Sequence, residues 1–150
     1  MRLISHRGNI NGKFESYENE PNYIKKALDN GYDVEVDLWV KDRKMFLGHD
    51  EPQYGIILSD FWLQQKNRIW WHCKNIEALE FCKDMGKYRI SNFFWHQEDD
   101  YTITSNGFIW AYPGKKLNKY SIAVMPELNN DNIKGCFGVC SDYIEKYKQL

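Results

Sequence analysis

His6-Arg7-Gly8, Glu35-Val36-Asp37 and His49-Asp50 all fall within the first 50 residues, each in or beside a short apolar run. Glu35 and Asp37 stand two apart in "YDVEVDLW", so in a strand both carboxylates leave the same face. Such a pair can share a hard divalent cation such as Mg²⁺ or Ca²⁺. Buried together without a cation, one of them would tend to stay protonated. His6 and His49 can divide general-base and general-acid work near neutral pH. The fork of Arg7 matches a pair of phosphate oxygens. No serine or cysteine nucleophile is placed with them, so the set points to metal-assisted phosphodiester cleavage rather than acyl transfer. Taken singly each motif is weak. A histidine and arginine at a strand end often only serve loop carbonyls, "EVD" occurs in half-exposed strands, and "GHD" is common in turns.

The elements that must position these groups are short. Eight apolar, β-branched or aromatic runs recur along the chain, at 2–5, 32–39, 45–49, 68–73, 89–96, 108–112, 121–126 and 137–141. "PNYIKKALDNG" reads as a helix, with Pro21 near its start, Gly31 after its end, and Tyr23, Ile24, Ala27 and Leu28 on one stripe. "NIEALEFCKDMG" repeats the pattern, with Asn75 as N-cap and Gly86 at its end. "LSDFWLQQ" and "SDYIEKYKQL" read as two further short helices. Strand and helix alternate, which predicts an α/β fold with a mainly parallel sheet. Eight strands suit a TIM-type (β/α)8 barrel, although such barrels usually need about 250 residues. The segments "PGKKLNKY" and "ELNNDNIKGC" are too short and polar for crossover helices. The expectation is therefore a reduced barrel with several helices replaced by loops, in one domain spanning residues 1–150; an open α/β sheet is the alternative. Only "LWVKDRKMFLG" separates Asp37 from His49. Either a hairpin near Asp42-Arg43 or an extended return would bring His49 beside Asp37.

Composition limits the partners. The net charge of −1 offers no basic field for nucleic acid or anionic lipid. No apolar run reaches about 18 residues, so a soluble, cytoplasmic protein without a membrane partner is expected. Four cysteines without a CxxC pair read as reduced thiols rather than a disulfide framework or a zinc site.

In order, "HRG", "ENEP", "ALDNGYDVEVDLWVKD" and "LGHD" resemble the glycerophosphodiester phosphodiesterase family, and "GVCSDYIEKYK" is similar to that family's last strand and helix. The resemblance covers residues 1–50 and 137–148. It implies a (β/α)8 barrel hydrolysing a glycerophosphodiester-like or sugar-linked phosphodiester with a divalent metal. His6 and His49 would be the acid–base pair, Arg7 a phosphate ligand, Glu35 and Asp37 metal ligands, and Glu18 a supporting carboxylate. A substrate hydroxyl beside the phosphate would attack first.

The chain departs from the family's pattern on the fourth strand. "WWHCKN" keeps the lysine as Lys74, but His72 stands where a glutamate is expected. His72 is either a nitrogen ligand, shifting preference toward Mn²⁺ or Zn²⁺, or a histidine hydrogen-bonded within the site. Glu20 replaces the usual threonine of "ENEP". The short chain implies an open site for a small or polymeric phosphodiester, or a non-catalytic phosphoester- or glycan-binding protein. His96 reads as a surface or structural residue or a substrate contact, and Glu127 as a substrate contact or a loop cap. Trp110 reads as core or as an apolar wall under the substrate. With helices missing, the outer barrel wall would need aromatic packing or a homodimer to cover it.

Overall fold

The computed structural model describes residues 1–149. The chain begins with β1 (Arg2–His6), α1 (Pro21–Asp29), β2 (Asp33–Lys41), β3 (Lys44–Leu47) and β4 (Tyr54–Ile56). It continues with α2 (Asp60–Gln64), β5 (Ile69–Cys73), α3 (Ile76–Met85), β6 (Asn92–Phe94) and β7 (Tyr101–Ile103). β8 (Ile109–Ala111), β9 (Ser121–Val124) and β10 (Gly138–Ser141) complete the sheet, with 3₁₀ turns at Pro126–Leu128 and Ile144–Gln149.

The expected (β/α)8 barrel does not form. The ten strands make one mixed sheet, curled into a half-barrel and carrying only short helices. β1 pairs in parallel with β2 and with β10, so the first and last strands do meet. The opening lies elsewhere. β6 is bonded only to β5, and the far edge of β8 is taken by β7 running antiparallel. Across that gap Ser105 bridges to β6, its N–H donating to the Phe93 carbonyl (2.8 Å) and its Oγ accepting from the Phe93 N–H (2.9 Å).

Connection length explains the departure, because a parallel crossover needs about a dozen residues or more. The segment between β2 and β3 turns within two residues, Asp42 and Arg43, both at positive φ (51° and 60°). That is the hairpin turn whose twist matches paired strands. β3 therefore returns antiparallel, Leu38 opposite Leu47. The strands at 54–56 and 101–103, not anticipated from the sequence, are three-residue edges of antiparallel pairs.

Alternation along the strands separates outward-facing from inward-facing core residues. On β2, Val34, Val36 and Leu38 face outward and pack with Ile69, Trp71 and Cys73 of β5 against Ile24, Ala27 and Leu28 of α1 and Ala78 and Cys82 of α3. Inside the curl, Ile4, Trp70, Phe94, Trp110, Ile122 and Cys140 form a second cluster. Asn75 caps α3 as its sequence indicates, accepting from the Ala78 N–H, and α1 is capped by Glu20, which accepts from the Tyr23 N–H and was not anticipated from the sequence as a cap. Asn75 also bonds the Val40 N–H and carbonyl, tying α3 to β2. All four cysteines are buried and unpaired.

Candidate functional site

Two residues beyond five of the six inner-core residues, all but Ile122, the same face turns polar. Ile4 leads to His6, Trp70 to His72, Phe94 to His96, Trp110 to Tyr112 and Cys140 to Asp142, while β2 contributes Glu35 and Asp37. The apolar layer is thus the floor of a cleft whose walls carry the ionisable groups. Register brings them together, with His6 beside Glu35 and Asp37 beside His72.

Glu35, Asp37 and His72 each offer a ligand atom within 4.8 Å of the others. His72 Nε2 lies 2.7 Å from the His96 carbonyl, which can only accept, so Nε2 carries the ring hydrogen. Nδ1 then faces Asp37 Oδ1 at 3.0 Å and Glu35 Oε1 at 3.4 Å. Phe94 stacks flat on the ring, 5.0 Å away, and fixes its plane. Glu35 Oε2 is buried without a hydrogen-bond partner, and Asp37 Oδ1 is buried with none unless His72 Nδ1 carries a proton. Orphaned carboxylate oxygens beside an imidazole nitrogen are what a cation would satisfy, so the residues fit a divalent ion. The mixed nitrogen and oxygen set suits Mn²⁺ or Zn²⁺ as well as Mg²⁺. In the metal-free protein a proton does this work. Burial opposes it, but Asp37 and Glu35 push His72 up to about 9. Burial would likewise raise Asp37, yet His72, Arg7 and Lys74 outweigh it and hold the carboxyl well below its usual range.

Arg7 sits at positive φ (53°), and its Nε approaches Asp37 Oδ2 at 2.8 Å while Nη1 donates to Glu18 Oε2 at 3.1 Å. Gly8 follows at φ 93°, where an added Cβ would lie 2.6 Å from the Tyr23 ring. The turn after β1 therefore requires glycine. Asn19 clamps Asp37 from both ends: its Nδ2 donates to Oδ2, and its Oδ1 accepts from the Asp37 N–H, each at 2.9 Å. Lys74 Nζ lies 3.6 Å from Asp37 Oδ1.

Both candidate acid–base histidines present Nδ1 to an aspartate. His6 Nδ1 is 2.7 Å from Asp142 Oδ1, and His49 Nδ1 is 2.7 Å from Asp50 Oδ1. Burial alone would raise Asp142, but His6 and Asn9 hold it below its usual value, so it accepts and Nδ1 donates. Nε2 is then the ring nitrogen left to exchange a proton, 3.9 Å from Glu35 Oε2. Asn9 Nδ2 binds Asp142 Oδ1 and Glu18 Oε1 together, so Glu18 supports the site as a partner of Arg7 and Asn9. His49 is half exposed and is pushed below its ordinary value by burial and by Arg7.

A cavity of about 320 Å³ is lined by His6, Arg7, Glu35, His49, His72 and Lys74. Trp110 is a core residue, its ring 4.4 Å from that of Phe94, and it also lines the cavity. His96 lines the cavity too, but its Nε2 is bonded to the Asp99 carbonyl and its own carbonyl holds His72. Glu127 accepts from Ser141 Oγ and Tyr147 Oη, which makes it a loop brace. Sequence reasoning did not single out Asp142, Asn9 or Asn19. Asp142 had a signal, its place two residues beyond Cys140 on an inward face, whereas the two asparagines lie in a loop without periodicity.

No family model, curated protein or solved structure matches the chain. Among the described residues no helix is long and apolar enough to cross a membrane.

Proposed function

We propose that the protein is a metal-dependent phosphodiesterase acting on a glycerophosphodiester-like or sugar-linked phosphodiester. The observation that carries the reading is His72, whose Nε2–H is spent on the His96 carbonyl while Nδ1 faces Glu35 and Asp37 with their unsatisfied oxygens. These three residues would hold the cation, which when bound would neutralise charge growing on the phosphoryl oxygens. Arg7 and Lys74 border the same cavity and orient the phosphate. His49, biased toward its neutral form, takes the proton of the attacking hydroxyl at Nε2. His6, braced by Asp142, gives a proton to the leaving oxygen as its bond to phosphorus breaks. Attack by a neighbouring substrate hydroxyl yields a cyclic phosphate, which the same pair can open with water.

Each of His6→Ala and His49→Ala is expected to lower turnover by about 100-fold or more with the fold retained by circular dichroism. Full activity in both variants on a substrate that the parent cleaves would sink the assignment. A second reading, a phosphoester-binding protein without turnover, is favoured by protonated His72, whose Nδ1 faces Asp37 and Glu35 without a cation. Calorimetry with Mg²⁺ and Mn²⁺ separates them. Phosphoester binding that ignores metal, with no product formed, selects the second.

A further inference from the structure

The charged cavity has an apolar half that phosphate chemistry does not need. Apart from the ionisable groups and Gln97, its lining is Trp110, Tyr112, Pro113, Val124, Met125 and Leu128. Two of these stand at the lip with little cover from the chain, Tyr112 at 48% and Leu128 at 66% exposure. Their position is built rather than incidental. Met125 adopts the left-handed conformation (φ 41°, ψ 53°), which costs an ordinary residue about 1 kcal/mol or more. That bend starts the 3₁₀ turn Pro126–Leu128, which carries Leu128 back to the cavity. The turn is pinned by the Met125 N–H to the Cys140 carbonyl (2.7 Å) and by Glu127 to Ser141 Oγ (2.7 Å) and Tyr147 Oη (2.9 Å). Strain held by three bonds keeps apolar side chains facing an ionic site.

A second cavity, of about 360 Å³, opens on the other side of Arg7 and His49, which line both. Its remaining lining is polar throughout, including Glu15, Glu18, Asn19, Glu51 and Gln53. A phosphate at Arg7 and His49 would therefore send one ester arm over Tyr112 and Leu128 and the other among hydrogen-bonding groups. From this division we infer that the substrate is an asymmetric phosphodiester, one alcohol apolar and the other hydroxylated. The inference rests on the phosphodiesterase reading for the central phosphate. The apolar lip selects one ester by burying its hydrocarbon, and the polar cavity takes a polyol.

The test compares two diesters of glycerol phosphate, one with a methyl and one with a hexyl ester, using the full chain with saturating Mn²⁺. The hexyl diester is expected to have a kcat/KM at least about tenfold higher, carried mainly by KM. In Leu128→Asp and Tyr112→Ser the ratio between the two diesters should fall to about twofold or less. Because each ratio is taken within one preparation, lost fold or lost active fraction cancels. Equal rates in the parent, or a preference surviving both substitutions, would overturn the inference while leaving the phosphodiesterase reading intact. If neither diester is cleaved, calorimetry with hexyl phosphate and methyl phosphate decides. Hexyl binding tighter by about tenfold and lost in Leu128→Asp keeps the apolar subsite and removes the catalytic reading. Absent or equal binding overturns the apolar subsite.

Discussion

Asp142 and Asp50 both face the Nδ1 of a histidine, but Asp142 is buried and anchored by Asn9 while Asp50 is exposed. Only the first can hold a ring rigidly. Asp142→Asn is therefore expected to lower kcat/KM by about 100-fold or more and to distort the pH–rate profile, with little change in secondary structure. A profile of unchanged shape and height would show that His6 needs no brace. Lowered in the folded state, Asp142 also contributes stability above its ordinary value of 3.8, lost as pH falls through its folded value. His72 has the opposite sign. Raised from 6.5 to about 9, its protonation stabilises the metal-free fold fully below pH 6.5, and that contribution disappears as pH rises through 9. Thermal melts of metal-free protein across that window should fall, and His72→Gln should flatten the slope. Bound cation replaces the proton, so Mn²⁺ should raise the melting temperature most on the alkaline side. Glu35→Gln and Asp37→Asn should each remove that response.

Among the elements, the β2–β3 hairpin decides most. It returns the chain to Gly48, where a Cβ would collide with the Glu51 carbonyl, and so delivers His49 to the cleft rim. Arg43 occupies a left-handed position that glycine would take without strain. Arg43→Gly is expected to stabilise the protein by about 0.5–1 kcal/mol in urea denaturation, the relief of strain exceeding glycine's entropy cost. Asn75 is the reverse case. It caps α3 and bonds Val40 on both sides, so Asn75→Ala should cost about 2–3 kcal/mol. A loss below about 0.5 kcal/mol would mean that water replaces those bonds.

For the molecule as a whole, the opening beside β6 predicts uneven stability. β1, β2 and β10 are paired on both sides, whereas β4 and β7 are short edges. Hydrogen exchange should be slowest at Ile4, Val34 and Val139 and fastest in β4 and β7. Equal protection of β7 and β1 would indicate a closed ring. The sequence alone determined what depends on local pattern. The two-residue spacing of Glu35 and Asp37 put both carboxylates on one face, Pro21 and Gly31 bounded α1, and Asn75 capped α3. His6, Arg7 and His49 were legible as ionisable groups at run ends, and the structure brings all three to one cavity. Tertiary structure decided the rest. Whether the sheet closes depends on where β6 and β8 lie after the β7 turn, a sum of many small twists that no single segment encodes. The role of His72 was equally beyond local pattern, because the His96 carbonyl that fixes its tautomer and the carboxylates that receive its Nδ1 come from different strands. Asp142 reaches His6 across 136 residues of chain because β10 pairs with β1, and a contact at that separation exists only once the sheet has formed.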